Sequence, residues 1–477
     1  MDNYTITQLR EKLLSKEISV TDAVKYYLKR ISSLDKEINS YITVCTESAL
    51  EKAKELDRNF DKVKESKLFG IPIAVKDVFS TKDIPTTCAS HILDSYTPVY
   101  NATVIERILK ENAIILGKTN LDEFCHGSST ITSYYGATRN PINKEYLPGG
   151  SSGGSSAATA LDLCTTSLGT ETAGSIRLPA SWCGVVGLKP TYGRVPRYGV
   201  LAMGSSLDCP GPITKDVKDS AYMLGIIAGH DTNDFTSSKE PVHDYLSKLD
   251  IKGVKGMKLA IPKEYLEMDI EKGVRDNFAQ MVKILKELGA TVEEIPIMNP
   301  KFAMAVYTLT CRSEVSSNLA RYDGTRYGLS KDTDGNIQEF YKAVRGEGFG
   351  KEAKRRIMTG TFSLSAGYAD EYFKKAEKVR KLIKEDLENI LKTYDAIISP
   401  TTPSIALKDK DADNPLFGEM ADILAEGSSE AGLPGLSIPS GLSECMPTGI
   451  QFIGRYFDEQ SILNLGYSVE STLKAGV

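Results

Sequence analysis

Two stretches of this 477-residue sequence carry side chains that could perform acyl transfer. One is GIPIAVKD, which places Lys76 at the end of a short apolar segment. The other is PGGSSGGSSAATALDLCTTSLGTETAGSIRLP, residues 148–179, which is rich in Gly and Ser. A serine can attack an amide carbonyl when a lysine accepts its proton, provided that burial keeps the lysine neutral. The residue types therefore predict a serine nucleophile with a lysine base.

Each stretch also has an ordinary interpretation. A Gly/Ser run is usually a flexible linker, but this run leads into an apolar, β-rich segment rather than a polar one. Lys76 could equally lie at an exposed strand end and pair with Asp77. The question is whether the glycines supply flexibility or allow close approach of the backbone.

Other catalytic sites fit the sequence less well. GGSSG, with Ser151 at its centre, matches the nucleophile elbow of α/β-hydrolases, but only His230 and His243 follow it, in a polar stretch that is typical of a loop. NAIILGKT ends like a phosphate-binding loop but opens with Asn112 in place of the first glycine. The sequence contains neither HExxH nor a Cys/His cluster, so no metal site is predicted.

The elements that must position these residues alternate between helix and strand. Helical periodicity after a Thr cap predicts helices over residues 21–35 and 46–60, and residues 70–80 are typical of a buried strand. Residues 103–120 predict a helix followed by a strand. This alternation favours an α/β architecture with a mixed sheet.

Composition limits the classes of function. The net charge is −5 and the sequence pI is near 5.7, so the chain itself is not expected to bind nucleic acid or an anionic membrane. The long helix predicted at 368–394 alternates charge sign and is typical of a solvated surface helix. No signal peptide or membrane span is predicted, and the eight cysteines lack CxxC pairs, so we expect a cytoplasmic protein with reduced thiols.

The chain is expected to form one large domain, because no change in composition forces a boundary. Within residues 1–477 we expect N-terminal helices to about residue 65, a central core over about 66–215, and a C-terminal, substrate-side half over about 216–477.

Three motifs together carry a family resemblance. GIPIAVKD, PGGSSGGSSAA and GTETAGSIRLPASWCGVVGLKPTYGRV resemble the amidase signature family in order and spacing. The resemblance implies the amidase signature fold, with a mixed central sheet covered by helices on both faces. It also implies a catalytic triad of Ser175 as nucleophile, Ser151 as proton relay after a cis peptide bond, and Lys76 as base. The backbone N–H groups of Thr172, Ala173, Gly174 and Ser175 would line an oxyanion hole.

Further motifs over nearly the whole chain, among them GKTNLDEFCHGSSTITSYYGATRNP and GIQFIGRYFDEQSIL, resemble the glutamine-hydrolysing A subunits of tRNA-dependent amidotransferases within that family. The resemblance implies hydrolysis of glutamine to glutamate and ammonia. It further implies that Arg355 binds the α-carboxylate, that Asp422 binds the α-ammonium group, and that Ser128 contacts the substrate.

The same resemblance implies partners. The B and C subunits of the amidotransferase would complete a heterotrimer, and misacylated tRNA would bind mainly through the larger of these two chains, the B subunit. That chain would use ATP and Mg²⁺ to amidate glutamate, or aspartate, on the tRNA. The glutamine-hydrolysing chain itself would need no metal or organic cofactor and no membrane.

Several positions depart from the family pattern. Ala173 replaces the usual Gly, which matters only if that residue needs a positive φ. Glu171 replaces the commoner Asp. His126 stands where Met is usual; we expect a polar side chain with hydrogen-bond partners, and the alternative is a residue that alters glutamine fit or pH dependence. The segment after Asp422, ILAEGSSEAGLPG, is less apolar than in the family, and this departure adjoins the residue that the resemblance assigns to the α-ammonium group.

Two alternatives remain on the sequence alone. The chain could be a free-standing amidase of the same fold that acts on other small amides. It could also be an inactive scaffold within a complex, which the intact Lys76, Ser151 and Ser175 oppose.

Overall fold

One mixed β-sheet connects the two halves of the chain in this computed structural model, which describes residues 3–333, 335–413 and 417–475. Its strands are β1 Tyr41–Val44, β2 Pro72–Lys76, β3 Ile114–Thr119, β4 Thr166–Glu171, β5 Val186–Lys189, β6 Cys209–Thr214, β7 Lys258–Pro262, β8 Thr291–Ile295, β9 Ala396–Pro400, β10 Gly435–Ser443 and β11 Met446–Ile453. The 11 strands lie in the order β1-β3-β2-β4-β6-β5-β10-β11-β9-β7-β8. The predicted mixed sheet is thereby confirmed, while the domain boundaries given above stay a prediction.

Helices follow most strands. They are α1 Ile6–Leu14, α2 Val20–Ile38, α3 Thr46–Arg58, α4 Phe60–Val63, α5 Thr103–Lys110, α6 Gly153–Ala160, α7 Arg177–Cys183, α8 Val217–Ile227, α9 Lys263–Leu266, α10 Lys272–Glu287, α11 Pro300–Asn318, α12 Ile337–Gly348, α13 Lys351–Leu364, α14 Phe373–Thr393, α15 Phe417–Glu430 and α16 Glu459–Lys474. In the described ranges, none of them is long and apolar enough to cross a membrane.

The predicted helices and strands are present, but the predicted Thr caps are wrong. Helix α2 begins one residue before Thr21, and the hydroxyl of Ser19 caps it by accepting the backbone N–H of Asp22. Helix α3 already includes Thr46, after Cys45. Thr21 instead donates its hydroxyl to Asp57 at 2.5 Å, so a tertiary contact uses the side chain that local pattern assigned to the cap.

Helices cover both faces of the sheet, as the resemblance implied. A Cβ placed on Gly449 of β11 would contact Ser181 of α7. The next residue toward the start of that strand, Thr448, accepts a hydrogen bond from Asn277 of α10 at 2.9 Å. Because successive residues of a strand face opposite sides, α7 and α10 lie on opposite faces.

The parallel strands β2 and β3 are the part of the sheet that positions the site. Every residue of β2 and β3 is buried, and β2 pairs with β3 on one side and with β4 on the other, both in parallel. Strands buried on both faces read as continuous apolar runs, which explains why the sequence around residues 71–75 shows no alternation. Lys76, the last residue of β2, therefore enters the interior directly from a central strand.

Candidate active site

Lys76 lies in the interior and contacts three hydroxyl groups. Its Nζ is 2.8 Å from Ser151 Oγ, 2.8 Å from Ser152 Oγ and 3.0 Å from Thr170 Oγ1. Burial lowers the pKa of Lys76 below its usual 10.5, although the neighbouring Cys125 thiol acts in the opposite direction. A lysine surrounded by hydroxyls and lowered in pKa is suited to accept a proton.

The alternative pairing of Lys76 with Asp77 is wrong. Asp77 Oδ1 lies 3.1 Å from the Nζ of Lys118, and both of these side chains are fully buried. Asp77 also accepts a hydrogen bond from the hydroxyl of Thr87 at 2.6 Å. Since Asp77 already has a buried cationic partner, its charge does not hold Lys76 in the protonated form by direct contact.

Ser151 belongs to a tightly packed turn rather than a flexible linker. The peptide bond between Gly150 and Ser151 is cis, as the resemblance implied. A Cβ on Gly150 would overlap the carboxylate of Asp122 and the backbone nitrogen of Ser129, so only glycine fits there. The turn leads into α6, which is buried over residues 153–159. The glycines of this run therefore allow close approach of the backbone.

Ser175 lies in the loop between β4 and α7 and is buried, with 4% of its surface exposed. This loop runs beside the Ser151 turn, because the backbone N–H of Ser152 donates to the carbonyl oxygen of Ser175 at 3.2 Å. Among the described residues, no hydrogen bond joins the two hydroxyls of Ser151 and Ser175. Lys76 is thus in direct contact with Ser151, and Ser175 lies on the adjacent strand-to-helix connection.

A buried ion pair braces the Ser175 loop at both ends. Glu171 Oε1 accepts hydrogen bonds from Arg177 at 2.9 Å and 2.5 Å, and both side chains are fully buried. Glu171 Oε2 accepts the backbone N–H groups of Ile176 and Arg177 at 3.0 Å and 3.1 Å. The carboxylate that is longer than the family's usual Asp therefore spans the loop and fixes its curvature.

The backbone of residues 172–175 is free to bind a substrate oxygen. None of its four N–H groups donates a hydrogen bond to another residue in the described ranges. Ala173 does not have a positive φ, so its replacement of Gly carries no backbone strain. Thr172 Oγ1 lies 2.7 Å from the hydroxyl of Tyr307 on α11, which holds the start of this loop against the C-terminal half of the chain.

A small polar cavity opens beside this loop. Ser128 donates its hydroxyl to Asp422 Oδ2 at 2.7 Å, and a Cβ on Gly174 would lie 2.5 Å from Asp422 Oδ1. The sequence-predicted Ser128 and Asp422 therefore lie together, next to the residue before Ser175. The cavity is lined by Gly127, Ser128, Tyr307, Thr308, Cys311, Arg312, Arg356, Asp422 and Glu426.

Arg355, the residue chosen from the sequence, does not line the cavity. Its side chain is 44% exposed and binds Glu352 on the outer side of α13. The neighbouring Arg356 is buried, lines the cavity and also binds Glu352, at 2.7 Å. Adjacent residues on a helix point about 100° apart, so only one of the two can face inward. The motif KRRIM could not tell them apart.

His126 also differs from expectation. It is fully buried, and within the described part of the chain neither ring nitrogen has a hydrogen-bond partner. Burial lowers its pKa well below the usual 6.5, and the positive charge of Arg356 lowers it further. His126 is therefore a neutral side chain behind the cavity wall rather than a polar group with satisfied hydrogen bonds.

The structure does not support the other catalytic schemes. His230 and His243 are exposed, and His230 Nδ1 lies near Ser237 at 3.1 Å, within its own loop. A Ser151-centred nucleophile elbow therefore has no histidine base. In the part of the chain that is described, no cluster of His, Cys, Asp or Glu could hold a metal ion.

Motif reasoning missed several residues of the site. Ser152 and Thr170 contact Lys76, and Tyr307, Arg312 and Glu426 lie in or at the edge of the cavity. Ser152 directly follows Ser151 in the Gly/Ser motif, so the sequence could have identified it as a candidate. Arg312 and Tyr307 are five residues apart on α11 and carry no local motif, so the sequence offered no signal for them.

Comparison with known proteins agrees with this geometry. The amidase family model matches residues 22–463. The A subunit of glutamyl-tRNA(Gln) amidotransferase from Oceanobacillus iheyensis is 50% identical over 472 residues, which cover 98% of this chain and 96% of that protein. The corresponding protein of Thermoanaerobacter pseudethanolicus is 48% identical and covers 99% and 97%.

Solved structures show the same fold. The A subunit of glutamyl-tRNA(Gln) amidotransferase from Thermotoga maritima superposes with a TM-score of 0.81 at 40% identity, covering 98% of this chain and 94% of that one. The peptide amidase from Stenotrophomonas maltophilia gives a TM-score of 0.86 at 28% identity, covering 99% and 97%. The overall architecture is thus shared with an amidotransferase subunit and with a peptide amidase.

Proposed function

This chain belongs to the amidase signature family, and we propose that it is the glutamine-hydrolysing A subunit of a tRNA-dependent amidotransferase. The observation that carries the chemistry is the contact of buried Lys76 with Ser151, on a cis peptide turn beside the Ser175 loop. The observation that favours this role over that of a general amidase is 50% identity to such a protein over nearly the full length of both chains.

In the proposed reaction, Ser175 is the nucleophile. Its Oγ attacks the side-chain amide carbon of glutamine, and its proton passes through the hydroxyl of Ser151 to the neutral amine of Lys76. Lys76 returns that proton through Ser151 to the leaving nitrogen, so the carbon–nitrogen bond breaks and ammonia is released. Water then attacks the resulting ester, which frees glutamate and regenerates Ser175.

The oxyanion of each tetrahedral intermediate would accept hydrogen bonds from the N–H groups of residues 172–175. These donors are fixed before the reaction because Glu171 and Arg177 brace their loop. Donors that need no reorganisation typically contribute about 3 kcal/mol to transition-state stabilisation.

The cavity beside this loop would bind the α-amino acid end of glutamine. Asp422, oriented by Ser128, would hold the ammonium group. The carboxylate would bind Arg356, the arginine that the cavity presents, in the role that sequence alone gave to Arg355. A planar guanidinium can bind a carboxylate through two parallel hydrogen bonds, which suits this role better than a lysine.

The ammonia would pass to partner chains. We propose a heterotrimer with the B and C subunits of the amidotransferase, in which the B chain binds most of the tRNA and uses ATP and Mg²⁺ to amidate the misacylated amino acid. The acceptor would be Glu-tRNA(Gln), Asp-tRNA(Asn) or both. The glutamine-hydrolysing chain would need no cofactor of its own, and we propose that the complex works in the cytoplasm.

The direct test measures ammonia release from glutamine by the purified chain, alone and with its two partner chains, ATP and Glu-tRNA(Gln). We expect weak hydrolysis alone, strong stimulation in the full mixture, and formation of Gln-tRNA(Gln). A chain carrying Ser175→Ala, assembled with the same partners, is the control for contaminating glutaminase.

Two results would contradict the proposal. Equal activity with and without the partners, or faster hydrolysis of another small amide, would identify a free-standing amidase. Full Gln-tRNA formation from glutamine by the Ser175→Ala complex would show that another chain supplies the ammonia and that this one is a scaffold.

A further inference from the structure

The cavity is lined by two carboxylates and two guanidinium groups, whereas an α-amino acid needs only one of each. Asp422 and Glu426 of α15 line it, as do Arg312 of α11 and Arg356 of α13. All four side chains are buried, and Glu426 is completely inaccessible to solvent. The proposed function uses one carboxylate and one guanidinium, so Glu426 and Arg312 have no assigned role in it. Because a buried charge must be paired to offset its desolvation, a cavity lined by two carboxylates and two guanidinium groups suits a ligand that itself carries both charges.

Glu426 lies where its carboxylate could bind the same substrate group as Asp422. The two acidic residues are four apart on α15, and residues at this spacing lie on one face of a helix with Cβ atoms about 6 Å apart. A cation midway between two such carboxylates can lie within hydrogen-bond distance of both. Two carboxylates that face one buried cavity also repel each other, and a cation between them relieves that repulsion.

Asp422 fixes where this cation would be. It accepts a hydrogen bond from the Ser128 hydroxyl at 2.7 Å and lies against Gly174, the residue before Ser175. Arg356 also lines the cavity, and although burial opposes it, Glu352 holds its pKa above the usual value. The cavity therefore presents a permanent cation for the substrate carboxylate and an acidic face on α15 for the ammonium group.

We propose that Glu426 is a second acidic contact for the α-ammonium group of glutamine and makes the pocket selective for amides that carry a free α-amino group. The inference rests on the proposed function and adds a specificity residue to it. Glu426 lies four residues after Asp422, in the segment ILAEGSSEAGLPG.

The test compares glutamine with 4-carbamoylbutanoate, which is glutamine without its α-amino group. In the assembled complex, Glu426→Gln should raise the KM for glutamine about tenfold, as expected for the loss of one charged hydrogen bond, with kcat changed by less than about twofold. The inhibition constant of 4-carbamoylbutanoate against glutamine hydrolysis should stay the same or improve. Selectivity between the two compounds should therefore fall about tenfold.

A matched control is available one turn further along α15. Glu430 is also a buried glutamate, whose carboxylate binds Arg380 at 2.8 Å and Thr310 at 3.2 Å, but it does not line the cavity. Glu430→Gln should leave the selectivity ratio unchanged. Glu426→Leu provides a second variant in case the neutral amide disturbs folding, because leucine has a similar volume and leaves no unpaired polar group.

The outcomes separate this inference from the proposed function. If both Glu426 variants fold and retain the wild-type ratio of KM for glutamine to inhibition constant for 4-carbamoylbutanoate, Glu426 does not contact the ammonium group. Equal weakening of both compounds would identify a structural residue and overturn the inference as well. A wild-type complex that releases no ammonia from glutamine would instead overturn the proposed function, and this inference with it.

Discussion

The Nζ of Lys76 lies 2.8 Å from the hydroxyl of Ser151, although 75 residues separate them along the chain. Lys76 ends the central strand β2, and Ser151 follows a cis peptide bond just before α6. The amine therefore approaches Ser151 from within the sheet, while the Ser175 loop approaches from β4, which pairs with β2. This arrangement fits the proposed serine hydrolase site, which uses no histidine, and its parts can be tested separately.

Replacement of the nucleophile is the first prediction. Ser175→Ala should reduce kcat for glutamine hydrolysis by about a thousandfold or more, because it removes the proposed nucleophile that forms the acyl-enzyme. The KM should change little if the substrate is held mainly by the cavity. Steady-state ammonia release measures both constants.

The control is another buried serine, in the helix that follows the Ser175 loop. Ser181 lies in α7, and its hydroxyl has no hydrogen-bond partner in the described residues. Ser181→Ala should keep nearly full activity. Comparable loss in both variants would indicate that the loop is sensitive to any change and that Ser175 has no special role.

The second prediction concerns pH. Lys76 accepts a proton only as the neutral amine, so kcat/KM should rise with pH and level off above the pKa of Lys76. Burial lowers that pKa from 10.5, so the rise should occur at lower pH than for an exposed lysine. A pH profile of kcat/KM measures it, and a rise centred on the usual lysine pKa would contradict this assignment.

A substitution at Cys125 tests the same pH profile, because it should shift the pKa of Lys76 in a known direction. Its thiol raises the pKa of Lys76, so Cys125→Ala should lower that pKa and shift the rise of kcat/KM to lower pH. Cys164 is buried elsewhere, against Thr159, and Cys164→Ala should leave the profile unchanged. An unshifted profile in Cys125→Ala would mean that the thiol does not influence the base.

The third prediction distinguishes two adjacent arginines. Arg356→Ala should raise the KM for glutamine by about tenfold to a hundredfold, the usual effect of losing a charged hydrogen bond to a substrate carboxylate. Arg355→Ala should have a small effect, because the Arg355 side chain is 44% exposed and does not line the cavity. The same initial-rate measurements on both variants decide between them, and a larger rise in KM for Arg355→Ala would restore the choice made from the motif.

The fourth prediction concerns the brace of the Ser175 loop. Glu171→Gln should lower the free energy of unfolding by about 3 kcal/mol, because it leaves the buried Arg177 with an uncompensated charge. Denaturant titration measures this change. The exposed pair of Lys272 and Asp276 is the control, and Asp276→Asn should cost less than about 0.5 kcal/mol. Similar small losses in both variants would show that the buried pair does not stabilise the loop.

The sequence by itself determined the parts of this protein that depend on local pattern. The unbroken apolar run before Lys76 predicted a buried strand, and the structure has β2 there. The Gly/Ser motif located the turn at Ser151, where a side chain on Gly150 would collide with Asp122. Both features are readable because the strand and the turn each restrict the residue types that can occupy them.

Only the tertiary structure decided which side chains meet. Asp422 binds Ser128 across 294 residues, Arg356 rather than Arg355 faces the cavity, and Asp77 pairs with Lys118. Sequence spacing along a helix or strand gives the relative directions of neighbouring side chains but not the direction of the interior. That direction, and with it the set of charges around the cavity, is fixed by how α11, α13 and α15 pack against the catalytic loops.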